Sequence, residues 1–234
     1  MKYATYSIAY NACYTGARAL FIVFLLTLTG CALTRPTARP AVYDFGPGRL
    51  SSAPAPQAGQ VGASVLAPLV LDEVQASTAL DGNAVLYRLA YTNAQQLRPY
   101  ALARWSMPPA QLVRQRLREQ LGQDRALLEP GAVVSAAKLA TPDGLASVTP
   151  INLGVDLEEF SQLFEAPGSS VGLLRLRATL TQASPSGAGL LAQRIIVVQR
   201  PAPSADAVGG VQALKLATDA AAQELAQWLQ QLGR

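Results

Sequence analysis

The sequence contains no histidine. That absence excludes Ser-His triads, histidine acid–base catalysis and histidine-ligated metal centres. There are two cysteines, Cys13 and Cys31, both in the N-terminal segment, so the remainder of the 234-residue chain has no disulfide and no thiolate chemistry. Charge is sparse at 15% and aromatics make up 6%. The 19 basic and 15 acidic side chains give a net +4, too small and too evenly scattered for a nucleic-acid surface. A Walker motif is missing. Gly46-Pro47-Gly48 is no substitute, because its proline removes an amide donor and no strand–glycine–helix unit surrounds it. The reading is of a protein with no cofactor, no metal and no catalytic residues. What the chain does have is apolar mass: half its residues are hydrophobic, enough for one domain with a sizeable core.

The apolar run Ala19–Leu28 (ALFIVFLLTL) is ten residues long. That suits the middle region of an export signal and falls short of the roughly 20 residues that span a bilayer. Before it lies a segment whose only charges are Lys2 and Arg18. Removing those two leaves 17 of the 19 basic groups against 15 acidic ones, a net of +2. After the run comes Leu28-Thr29-Gly30-Cys31, which resembles the bacterial lipobox, where small residues precede a cysteine that is diacylated and becomes the new N-terminus. The alternative is a plain secretory signal with Cys31 an incidental thiol. Ala32, not aspartate, follows the cysteine, and by the same resemblance this points to an outer-membrane lipoprotein facing the periplasm. The expected organisation is a signal peptide over 1–30, a lipidated tether over 31–41 and a domain over 42–234, with a flexible Pro/Ala-rich linker at 46–60.

Within the domain, Val42–Phe45 predicts a short strand and Val61–Val70 another. Val74–Leu80 and Val85–Tyr91 read as a hairpin joined at Asp81-Gly82-Asn83. Leu97–Trp105 is extended. Pro108-Pro109 then opens a helix to Leu121, with Leu112, Val113, Leu117 and Leu121 on its buried face. Ile151, Leu153, Val155 and Leu157 alternate with polar residues, as do Leu174, Leu176, Ala178 and Leu180, which predicts half-buried antiparallel strands. Leu190–Val198 is apolar on both faces at its end and reads as a central strand. Asp206–Leu232 predicts a helix whose apolar stripe lies on the sheet, with a seam to a second copy as the alternative, so self-association stays open. The fold class is mixed α/β (α+β): one domain, a mixed or antiparallel sheet and two long helices packed on it.

The segment Arg98–Leu121 (RPYALARWSMPPAQLVRQRLREQL) carries an Arg104-Trp105 pair, a small residue and proline, then the amphipathic helix. In order with Tyr43-Asp44-Phe45, Val65–Leu69, Val155–Phe160 and the Ala-rich C-terminal helix, it resembles the ABC-type transport auxiliary lipoprotein family of the paraquat-inducible protein C type. The resemblance implies a non-catalytic subunit that works with ABC transporter and MCE-domain subunits to move lipids or other hydrophobic molecules across the envelope. The alternative is a structural lipoprotein that braces an outer-membrane complex and handles no lipid. Neither reading calls for an enzyme.

Four residues are candidates for function. Cys31 would carry the lipid. Arg114 and Arg118, four apart on the outer face of the first helix and accompanied by Arg116, could meet an acidic partner or anionic headgroups; the plainer reading is a solvated face. Trp105 reads as filling a core notch, with an aromatic anchor at a partner surface as the alternative. The Asp156, Glu158, Glu159 cluster reads as an exposed strand end, not a catalytic pair or a cation site.

Overall fold

The computed structural model describes residues 38–48, 66, 68–130, 137–141, 144–148, 151–184 and 187–233. The expected signal peptide, Cys31, most of the tether, the linker beyond Gly48 and most of the Val61–Val70 strand lie outside these residues. The chain divides into two compact units, and the elements below belong to the one spanning Pro40–Arg234. Along it run β1 (Ala41–Tyr43), β2 (Leu69–Leu71), β3 (Gln75–Ala76), a 3-10 turn (Thr78–Leu80), β4 (Ala84–Leu89), the one-turn helix α1 (Ala90–Asn93) and β5 (Ala94–Trp105). Helix α2 (Pro109–Leu121) and β6 (Leu127–Leu128) follow, then a separate hairpin of β7 (Ala137–Thr141) and β8 (Gly144–Val148). The chain finishes with β9 (Ile151–Ala166), β10 (Ser169–Ser184), β11 (Gly187–Pro201) and helix α3 (Ala207–Gln231).

Nine strands of the described residues form one mixed sheet, with the path β1-β5-β4-β9-β10-β11. Strand β9 is its axis. On one side it pairs antiparallel with β10, setting Leu153 against Leu180, Val155 against Ala178 and Leu157 against Leu176. On the other side β2, β3 and β4 join it in succession, all parallel. The predicted hairpin between the third and fourth strands is therefore corrected: β3 and β4 each pair with β9. Two-residue strands have no pattern of their own, and the long partner specifies them.

A one-residue bulge in β9 resets its faces. Arg175 opposes Glu159 while Leu176 opposes Leu157, so Glu158 is the extra residue. Before it the odd-numbered side chains point into the core, and after it Phe160, Gln162 and Phe164 do. The carboxylate cluster thus sits in the middle of a 16-residue strand, not at a strand end. Glu158 bridges Arg175 and Arg177, and Glu159 holds Arg88 at 2.9 Å.

Helix α3 lies across β9, β10 and β11 on the apolar face, with α2 beside it. Asp206 caps α3 by accepting from the Gly209 amide at 2.9 Å. The helix comes close because Gly172 has no side chain: a Cβ there would sit 2.5 Å from the Ala213 carbonyl carbon. Leu112, Val113, Leu117 and Leu121 of α2 are all buried, as the sequence predicts. Strand β11 is a correction. It forms the edge of the sheet, with Ile196 and Val198 under α3 and Ile195 and Val197 about half exposed on the opposite face. No described helix is long and apolar enough to cross a membrane.

Candidate functional site

The sequence signature Arg104–Leu121 becomes a strand end, a tight connection and a helix. Trp105 closes β5, its amide donating to the Asn83 carbonyl at 2.7 Å, and Ser106 donates to the Tyr43 carbonyl at 2.8 Å. Pro108 is extended and Pro109 occupies the first helical turn, where its missing N–H costs no bond. This geometry sends Trp105 inward. Its indole is 1% exposed and meets Phe45 edge-on at 5.8 Å and Phe160 at 5.6 Å. The core-notch reading of Trp105 matches the structure; a surface anchor does not, since its ring is enclosed on all sides by the core.

The two outward arginines are engaged. Arg114 reaches Glu129 at 3.1 Å and Glu73 at 3.4 Å, and its Nε donates to the Asp72 carbonyl at 3.4 Å. Arg118 pairs with the other oxygen of Glu129. The face predicted as merely solvated is thus a clamp in which two guanidinium groups grip one carboxylate. Beside it, Glu73, Met107, Gln111, Arg114 and Arg118 line a concavity of about 380 Å³. Local charge is balanced, so the arginines present no cationic surplus. Arg116 turns the other way. It holds Glu119 at 2.7 Å, the Phe45 carbonyl at 3.2 Å and Asp219 of α3 at 2.9 Å, tying three elements together.

Hydrogen bonds from Arg118 and then Arg114 hold the Glu129 carboxyl below its ordinary value of 4.5. A carboxylate with a depressed folded value contributes stability above about pH 4.5 and loses it as the pH falls through that folded value. Titration of the Glu129 carboxyl by NMR should therefore show a midpoint below the unfolded one. In Arg118→Gln the midpoint should move back up; an unchanged midpoint would mean that the clamp does not persist in solution.

Sequence reasoning missed a second polar cluster. Gln162, fully buried in β9, accepts from the Tyr100 hydroxyl at 2.7 Å and donates to Ser170 Oγ at 2.8 Å. Burial, then the neighbouring Tyr87 and Asp206, push the Tyr100 hydroxyl up to about 12. A Cβ on Gly210 would lie 2.1 Å from Gln162 Oε1, so the start of α3 sits directly on this cluster. Paired glycines at a helix start were the available signal. The cluster's bonds are internal, and its role is to seat α3.

A family model for the ABC-type transport auxiliary lipoprotein component matches residues 49–226, well over half the chain. The chain belongs to this family. The family's description is that of an auxiliary component of transport and names no catalytic activity. Among solved structures, a DUF330 protein from Xanthomonas campestris is 18% identical and superposes with a TM-score of 0.59, covering 81% of this chain and 94% of that one. An uncharacterized protein is 13% identical with a TM-score of 0.55, covering 82% and 99% respectively. At these identities the likeness is one of fold. No curated protein matches the sequence. Membership in a lipoprotein family implies a place in the cell envelope.

Proposed function

We propose that this auxiliary lipoprotein is a non-catalytic subunit of an ABC and MCE-domain transport system that moves lipids or other hydrophobic molecules through the envelope. In this reading Cys31 carries the lipid, residues 1–30 are removed, and the outer membrane holds the domain on its periplasmic side. The tether of about ten residues lets the domain stand up to ~33 Å from the surface. The observation that carries the proposal is the family match over 49–226 behind a lipobox-like LTGC. A subunit of this kind contributes geometry and contacts, and ATP hydrolysis belongs to a partner. Purification of the full lipoprotein from membranes should bring ABC and MCE-domain subunits with it. Purification that yields only outer-membrane assembly factors would sink the transport reading.

The α2 concavity is the docking face we assign within this reading. Arg118 is 43% exposed and Glu129 57% exposed, so a partner carboxylate can displace Glu129 from the clamp without opening the core. Trp105 acts there only indirectly, by fixing where β5 ends and α2 begins. Charge reversal would crowd new carboxylates against Glu73 and Glu129, so the sharper variant is neutral: Arg114→Gln with Arg118→Gln. Arg118 and Glu129 are exposed and Arg114 is 17% exposed, so the double variant should lower the melting temperature only slightly, chiefly through Arg114. Capture of the transporter subunits should fall several-fold, and wild-type capture should weaken with added salt. Full, salt-independent capture by the double variant would move docking off α2.

A further inference from the structure

Strand β11 is the last on the path of the sheet. Among the described residues nothing pairs with its outer side, so alternate backbone N–H and C=O groups face outward from Ala188 to Arg200. Proteins ordinarily blunt such edges with charges, short strands, mid-strand proline or bulges. β11 has no lysine, and its one proline is the last residue. It carries one bulge, at Leu191, and beyond that Ala192–Pro201 pair with β10 without interruption. Of the ten exposed large hydrophobic residues among the described residues, four lie on it: Leu190, Leu191, Ile195 and Val197, at 40–66% exposure. This concentration is unlike the isolated apolar side chains of an ordinary surface.

On the helix side of the same edge, a groove of about 470 Å³ runs between Val198–Arg200 and the Ala220, Gln223 and Gln227 positions of α3. A free strand edge flanking a helix is the geometry that accepts an extended peptide as an added strand, with main-chain bonds supplying affinity and alternate side chains supplying specificity. The charges select which peptide. Arg194 is taken up by Glu224 at 2.8 Å. Arg200 reaches only the carbonyl of its neighbour Gln199, at 2.9 Å, and no described carboxylate pairs with it.

We propose that the β11 edge and its groove receive an extended segment of a partner polypeptide, added as a further strand, apolar at alternate positions and carrying a carboxylate that reaches Arg200. This surface is separate from the α2 clamp and does not depend on docking there.

The probe is a nine-residue peptide of alternating valine and threonine with one glutamate, beside a version with lysine in place of the glutamate and one interrupted by proline. Fluorescence anisotropy and hydrogen exchange on the full lipoprotein in detergent give the readout. The glutamate peptide should bind about fivefold tighter than the lysine peptide, the size of one exposed charge pair. It should also slow exchange of amides between residues 193 and 199. Arg200→Glu should invert the preference, and Ile195→Lys with Val197→Lys should abolish binding while the melting temperature holds. Absence of protection at β11, or equal binding of the proline-interrupted peptide, overturns the proposal. So does peptide-independent protection that rises with protein concentration, which would assign the edge to a second copy of this chain.

Discussion

Trp105→Ala is expected to lower stability by about 3–5 kcal/mol, the largest loss of any single side chain discussed for this domain. Three features add to the cost. The indole is 1% exposed, so nearly its whole surface leaves water on folding. It is the middle of a three-ring cluster: Phe45 meets it at 82° and Phe160 at 50°, while Phe45 and Phe160 lie 6.4 Å apart. Removing the ring withdraws the partner of both phenylalanines. The surroundings are also poorly placed to collapse, because β5 is pinned here by β1 on one side, with Tyr43 opposite Trp105, and by the Asn83 carbonyl on the other. Against a total stability of about 5–15 kcal/mol, such a loss approaches unfolding. Denaturant titration followed by circular dichroism measures it, and Trp105→Phe should recover part of the loss. A change below about 1 kcal/mol would show that the three-ring cluster contributes far less to stability than its burial implies.

The parts of the fold legible in the sequence are those specified locally. The first half of β9 and the middle of β10 show strict alternation because one face is covered by α3 and the other is not. α2 and α3 show their buried stripes for the same reason. What escaped is specified from elsewhere. β11 looks central in sequence because its apolar residues occupy both faces, yet one of those faces has no described cover. The bulge at Glu158 inverts the alternation, and nothing in Asp156–Phe160 marks the inversion apart from two adjacent glutamates. Arg114 and Arg118 could be placed on one face from their spacing, but their partners Glu73 and Glu129 come from other segments. A surface that looks merely solvated in sequence becomes an ion-pair clamp once those segments converge. The buried Gln162 cluster was hidden by the same rule, since Tyr100, Gln162 and Ser170 sit on three strands.

These placements separate folding from function along the chain. Arg116, Trp105 and the Gln162 cluster hold elements together, and changes there report on stability. Arg118, Glu129 and the β11 edge are exposed, so changes there can be read as changes in association.

The proposed anchor at Cys31 would be the most separable part of all. Cys31→Ser, made in a chain given an Ala-X-Ala cleavage site before residue 31, is expected to move the protein from the membrane fraction to the soluble periplasm almost completely. The added site matters, because an unprocessed signal would itself hold the chain to the inner membrane through its Ala19–Leu28 run. Each buried methylene of an acyl chain contributes about 0.8 kcal/mol, and two or more chains make attachment effectively permanent. Under the proposed processing, nothing among the described residues replaces that. The processed chain's net charge of +2 gives weak attraction to anionic lipid, and no described helix can span a bilayer. The domain is expected to keep its stability, since position 31 lies outside the unit Pro40–Arg234 that holds the core. Melting curves of the released and lipidated forms should therefore coincide. Mass spectrometry of the wild type should find an acylated peptide beginning at Cys31. An unmodified Cys31 in the membrane-extracted protein, or a serine variant that stays membrane-bound through a high-salt wash, would show that something other than a lipidated Cys31 holds this domain at the envelope.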